Sequence, residues 1–143
     1  MAVQRNDPYL KQNFAVEIDG VNVAHFAEVS GLSVEVDVVE YRNGSEDITV
    51  RKLPGLAKYS NIVLKRGIVG DLSLWQWLRT VRQGDAQRRN GVIVLLNEKR
   101  EEVLRFSFRR GWVCKWEGPT LNAKSNDVAI ETLEICHEGL EIE

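Results

Sequence analysis

The side chains able to do covalent or acid–base chemistry in this 143-residue chain are few, and their spacing works against it. Cys136 and His137 are the residue types that a thiol nucleophile and its base require. They are sequence neighbours within a segment of strand character, where adjacent side chains point to opposite faces, so they cannot pair. Glu35, Asp37 and Glu40 stand at i, i+2 and i+5 on another strand-like segment. Glu35 and Asp37 share one face, and a solvated face explains them better than an acid–base pair. Arg88-Arg89 and Arg109-Arg110 carry the charge to touch phosphates, but no aromatic residues interleave them as a single-strand-binding groove requires. Two cysteines (Cys114, Cys136) and two histidines (His25, His137) are too few for a disulfide framework or a structural zinc. Free cysteines in strands commonly act as small buried hydrophobes, which fits a reducing compartment, with one disulfide left open. No Walker loop, dinucleotide fingerprint, His-Glu-x-x-His or nucleophile elbow occurs. The sequence therefore implies no catalytic residue, no cofactor and no metal site.

Composition sets the frame for these residues. Hydrophobic residues make up 43% and charged residues 28%, which excludes a disordered chain. The length fits one domain, residues 1–143. No apolar run approaches the ~20 residues of a membrane-spanning helix. The polar stretch from Met1 to Leu10 reads as lacking a Sec-type leader. A net charge of -2 argues against a dedicated nucleic-acid binder. That charge is segregated. Residues 1–78 hold 8 basic and 10 acidic side chains, residues 79–116 hold 10 and 4, and residues 117–143 hold 1 and 7. Either the basic middle and acidic end pair internally, which is the simpler reading, or they meet between copies.

Period-two alternation dominates the elements that position these residues. Phe14, Val16 and Ile18 alternate with polar positions, and Asp19-Gly20 offers a two-residue hairpin turn into Val21 and Val23. Leu32, Val34, Val36 and Val38 alternate likewise until the adjacent pair Val38-Val39 breaks phase, the mark of a bulge or a strand end. From Tyr41 to Tyr59 the pattern dissolves into a polar stretch (Asn43, Gly44, Ser45, Glu46, Asp47) and a turn at Leu53-Pro54-Gly55-Leu56. So long a connection in a small domain is usually functional or an interface arm. Strand character returns at Ile62–Leu64 and Val92–Leu96. It continues at Val103–Phe108, Trp112–Trp116 and Val128–His137, with breaks at Asn97–Arg100 and Gly118-Pro119. One helix is expected, since Leu74, Trp77, Leu78 and Val81 repeat at i, i+3, i+4 and i+7. Asp71 is placed to cap it, Gly84 to end it, and Arg79 and Arg82 to meet its dipole. Leu72 and Trp75 lie off the apolar stripe, so they lap onto a neighbouring strand or face another subunit. The expected fold is mainly β, a small antiparallel β-barrel or sandwich with one flanking α-helix.

Several clusters in order resemble the tail-tube protein family of contractile phages and phage-tail-like contractile injection systems. They are Glu28-Val29-Ser30-Gly31-Leu32, Glu40-Tyr41-Arg42-Asn43-Gly44, Lys52-Leu53-Pro54-Gly55 and Asn61-Ile62-Val63-Leu64-Lys65-Arg66-Gly67. The tryptophan-bearing helix Leu74–Leu78 follows, then Lys115-Trp116-Glu117-Gly118-Pro119, then Ala129-Ile130-Glu131 with His137-Glu138-Gly139-Leu140. The resemblance runs from about Asp7 to the C-terminus, and no single cluster is specific; their order is. It implies hexameric rings stacked into a hollow tube, related to the haemolysin-coregulated ring proteins of type VI secretion.

On that resemblance, residues 42–59 match an extended loop that reaches neighbouring subunits. Its interface candidates are Arg42, Asn43, Gly44, Lys52, Leu53, Pro54, Gly55, Lys58 and Tyr59. Glu35 and Asp37 become candidates for the lumen, and Leu72 and Trp75 for a helix-flank interface. The implied partners are further copies of the chain, sheath, baseplate and spike proteins, a tail terminator or cap, and cargo protein or phage DNA in the lumen. The implied setting is assembly in the bacterial cytoplasm into a virion tail or a released particle. Two alternatives stand beside this reading: a baseplate tube-initiator ring of the same fold, and a ligand-binding β-barrel.

Overall fold

A computed structural model describes residues 13–19, 21–23, 26–42, 44, 48–68, 70, 72–124 and 126–143. Its strands are β1 (Phe14–Ile18), β2 (Val21–Val23), β3 (Phe26–Ser30), β4 (Val34–Tyr41), β5 (Arg51–Tyr59) and β6 (Ile62–Gly67). The helix α1 (Ser73–Arg82) follows, then β7 (Arg89–Leu96), β8 (Glu102–Glu117), β9 (Ile130–Cys136) and β10 (Gly139–Ile142). All pairings are antiparallel. The main sheet runs β2-β1-β7-β8-β9-β6-β3, and β10 also pairs with β8. Among the described residues this path stays open at β2 and β3, so the fold is a sandwich whose barrel does not close.

The long strand β8 makes both layers. Its first part pairs with β7 and β10, and its second part, from Trp112, pairs with β9. Between them Arg110 takes a left-handed conformation at φ 54°, and its N–H is held by the Asn90 side chain at 2.9 Å. The chain turns there from one layer into the other. Val16, Ile18, Ile93 and Phe108 from one layer then face Ile62, Leu64, Leu133, Ile135 and Val113 from the other. Burying each large aliphatic side chain is worth about 1.5–3 kcal/mol, and this two-sided set drives the fold.

The helix closes one flank by burying Leu74 and Trp77, the positions picked out by the 3.6-residue period. The Trp77 indole N–H donates to the Gln87 carbonyl at 2.9 Å, and the Arg89 guanidinium stacks 4.7 Å from its ring centre. Gly84, at φ 93°, ends the helix as expected. Its N–H bonds the Val81 carbonyl and that of Asp85 bonds the Thr80 carbonyl, a complete Schellman motif. Asp71, the expected cap, lies outside the described residues; the N-cap position is Leu72, with no side-chain hydrogen bond.

One charged pair sits inside the core. Arg66 on β6 and Glu131 on β9 lie opposite each other and pair through Nε and Oε1, with side chains 2% and 9% exposed. The Trp116 indole donates to the other Glu131 oxygen at 3.0 Å, and the Phe26 ring lies under the Arg66 guanidinium. Because every polar atom is matched, the pair is tolerated in a low-dielectric setting.

Several elements differ from the sequence expectation. The segment Arg51–Tyr59 is a strand, not part of a loop, so Leu53-Pro54-Gly55-Leu56 is mid-strand rather than a turn. β4 starts at Val34 and runs to Tyr41, leaving Leu32 and Ser33 outside it. Val103–Phe108 and Trp112–Trp116 join as one strand, and β3 and β10 were not anticipated. Ile18 pairs with Val21, so the hairpin at Asp19 forms, although Gly20 lies outside the described residues. No described helix is long and apolar enough to cross a membrane.

Candidate functional site

Strands β4 and β5 pair with each other and with no strand of the main sheet. They leave the body as a two-stranded ribbon. At its neck Gly31 adopts φ 87°, and a Cβ there would overlap the Asn61 carbonyl, so only glycine lets the two chain segments pass this closely. Ser33 and Ser60 then tie the neck through their hydroxyls at 2.6 Å and a backbone bond at 3.4 Å. The buried His137 holds it to the body, with Nε2 2.9 Å from the Ser60 carbonyl and Nδ1 3.1 Å from that of Gly139. The Tyr59 and Phe108 rings flank the imidazole.

The register decides which side chains share a face of the ribbon. Val34 lies opposite Tyr59, Val36 opposite Ala57 and Val38 opposite Pro54, which makes one face apolar near the neck. Glu35 lies opposite Lys58, and Lys58 binds Asp37 at 3.1 Å, so the other face is charged there. The register slips between Val36 and Val38, where Ala57 and Pro54 enclose one residue more than the partner strand does. The extra residue lies at Gly55-Leu56, opposite the phase break seen in the sequence. Beyond it the polarity exchanges. Val39 with Leu53, and Tyr41 with Arg51, now stand on the formerly charged face, while Glu40 and Lys52 occupy the formerly apolar one.

These apolar groups are not covered. Val34, Val36, Val38, Val39, Tyr41, Leu53 and Leu56 keep about half of their surface or more. Among the described residues no strand pairs with the outer edge of β4 or of β5, and both faces of the ribbon meet water.

The residues singled out from sequence fall as follows. Lys52, Leu53, Pro54, Gly55, Lys58 and Tyr59 all lie on β5, and Arg42 and Gly44 follow β4 toward the tip. Asn43, Ser45, Glu46, Asp47 and His25 lie outside the described residues. Glu35 and Asp37 share a face as expected, but Lys58 joins them, so that face is not purely acidic. Trp75 laps onto β8 in edge contact with Trp116 at 5.0 Å, under the Arg82 guanidinium, whereas Leu72 is exposed. The basic middle and acidic end meet within the chain at Glu138, which pairs Arg110 at 2.7 Å and Arg88 at 3.7 Å. The exposed valines of β4 and Leu56 add further uncovered apolar groups to the ribbon, and the Val38-Val39 pair is the sequence sign of the exchange between its faces.

On the outer face of β1, β7, β8 and β10 lies an open groove of about 540 Å³. Glu17, Asp19, Glu141, Arg105 and Arg109 line it together with Val92 and Phe108. Among the described residues no group of three or more metal-ligating side chains gathers.

The family profile described as T4-like virus tail tube protein gp19 matches residues 10–141. A search of curated proteins found no match. Among solved structures, a chain of the anti-feeding prophage (AFP) baseplate is 27% identical at a TM-score of 0.85, with 97% of each chain covered. A chain of the AFP tube terminating cap is 25% identical at a TM-score of 0.89, covering 100% of this chain and 94% of that one. A chain of the sheath–tube complex of PVC, an extracellular contractile injection system in its extended state, shares the fold. It has a TM-score of 0.88 and 24% identity over 96% of this chain and 93% of that one.

Proposed function

The chain belongs to the T4-like virus tail tube protein family, and from that premise we propose that its ribbon joins identical copies into stacked rings, six to a ring. It is a structural tail tube protein of a contractile phage tail or extracellular contractile injection system, not an enzyme. It works as a component of that particle, which leaves no place for the ligand-binding-barrel alternative.

The observation that carries the assembly reading is the exchange of polarity along the ribbon. One apolar patch lies near the neck on one face, and a second lies near the tip on the opposite face. A single flat partner could cover only one of them. Two copies, one on each side, cover both, so the ribbon acts as a wedge between a neighbour in its own ring and a copy in the adjoining ring. Its unpaired edges offer backbone groups for strand addition to those neighbours. Head-to-tail stacking of rings is open-ended and yields a filament. A copy held by several neighbours dissociates only when all release together, so modest contacts give a rigid conduit.

In this reading residues 1–143 act as one domain, and Arg42, Lys52, Leu53, Pro54, Gly55, Lys58 and Tyr59 are ring-contact residues. Glu35 and Asp37 near the neck point toward the water-filled lumen, and Leu72 on the helix flank meets another copy. The partners are those of the complexes in which the similar chains occur: sheath, baseplate and cap. A spike ahead of the tube and protein or DNA cargo within it complete the machine, assembled in the bacterial cytoplasm. Negative-stain microscopy of the purified chain tests this. Rings or hollow tubes are expected, and a monomer persisting at high concentration would overturn it.

A further inference from the structure

We propose that Cys114 and Cys136 form a redox site, a dithiol on the outer face of the β8–β9 ladder. It closes to an intramolecular disulfide by exchange with a small-molecule disulfide. The register carries this inference. Trp112 lies opposite Cys136 and Val113 opposite Ile135, but the next rung pairs Lys115 with Glu134. Cys114 is therefore an extra residue compressed into a single rung, a β-bulge. Val113 and Ile135 are wholly buried, so the alternating positions beside them, Cys136 and the exposed Cys114, turn outward together.

In a regular ladder, diagonal neighbours on one face have Cα atoms about 7–8 Å apart. A disulfide spans at most about 6.8 Å. The bulge departs from that regular spacing, and Cys136 lies close enough to act as a side-chain hydrogen-bond partner of Cys114. The two sulfurs already feel each other, since Cys136 is among the groups that raise the pKa of Cys114, after burial and ahead of Glu134. The Cys114 thiol donates weakly to the Glu134 carbonyl at 3.5 Å and accepts from the Asn61 side-chain amide at 3.7 Å. Asn61 adjoins the ribbon neck, so the staple would fasten β8 to β9 directly beside the ribbon's anchor.

The reaction is balanced in two steps. One protein thiolate attacks a sulfur of the small disulfide, the S–S bond breaks, and one small thiolate leaves. The second protein thiolate attacks the protein sulfur of the mixed disulfide and releases the other small thiolate. The two protein thiols lose two protons and two electrons in total, and the small disulfide is reduced to two thiols. Both cysteines stay reduced in a glutathione-buffered compartment and couple in an oxidising one. Placing that change at release of the particle rests on the tube reading; the chemistry of the site does not.

The test uses the full chain incubated with oxidised glutathione and followed by intact mass and non-reducing peptide mapping. The expected product is two hydrogen atoms lighter than the reduced chain, with the Cys114 and Cys136 peptides joined. The C136S variant should instead accumulate a glutathione adduct at Cys114. Wild-type protein that accumulates the same adducts at the same rate as C136S, or that forms only intermolecular dimers, would overturn the proposal. Imaging the same samples for rings keeps the two readings apart, because loss of rings with the disulfide intact would count against the tube reading alone.

Discussion

Replacing Val36 by aspartate separates the ribbon's role in assembly from any role in folding. Val36 keeps 48% of its surface in the single chain and sits at the centre of the apolar patch near the neck. Full burial of a valine is worth about 1.5–3 kcal/mol, so covering the remaining half by a neighbour contributes about 1 kcal/mol. A carboxylate in the same contact loses that gain and is desolvated without a partner, which adds at least about 2 kcal/mol. The combined loss of about 3 kcal/mol per contact corresponds to a rise of roughly 100-fold in the concentration needed for assembly. The fold itself should hold, because the ribbon pairs with no strand of the main sheet and exposed substitutions usually change stability by about 0.5 kcal/mol. Sedimentation across a concentration series gives the assembly threshold, and thermal unfolding of the unassembled chain gives the control. A folded V36D chain assembling at the wild-type threshold would refute the reasoning.

Other outcomes follow from the same structure. V39D on the opposite face should also raise the assembly threshold, and its effect should add to that of V36D within about 0.5 kcal/mol, since different neighbours are engaged. G31A should destabilise the chain by about 3 kcal/mol or more in urea unfolding, because both its φ and its Cβ conflict with the native neck. G84A has open space and should cost only about 1–2 kcal/mol. R66M leaves Glu131 buried beside Trp116 and should cost about 3–5 kcal/mol, most of which the double variant R66M/E131L should restore. Burial first, then Cys136 and Glu134, disfavour the Cys114 thiolate. Its alkylation by iodoacetamide should therefore be slower than that of free cysteine at neutral pH. The rate should keep rising with pH beyond 9.0, the ordinary value for the thiol.

Much of the fold was legible because burial writes a period into the sequence. β1, β6 and α1 alternate or repeat against the core; β1 and α1 read close to their true limits, whereas the sequence marks only the first half of β6, since Lys65 and Arg66 hide the rest. β5 was not, because neither of its faces is buried by this chain, so no apolar alternation marks it and Pro54 argues against a strand. That Pro54 is tolerated follows from its place in a two-stranded ribbon, where each strand keeps a free edge. The two parts of β8 read as separate strands because Arg109, Arg110 and Gly111 interrupt the apolar pattern where the chain passes between layers. Of the candidate site, the character of residues 51–59 as one strand of a paired ribbon comes only with the register. The exchange of polarity was written in Val38-Val39 all along. Its meaning depends on which partner strand lies opposite.

The most direct test of the central claim is a cryo-EM reconstruction of the assembled chain. Buried surface is then measured residue by residue along β4 and β5. In the assembled tube Val34, Val36 and Val38 should be covered by one copy and Val39, Tyr41 and Leu53 by another. A hollow tube in which both patches remain in contact with water would contradict it.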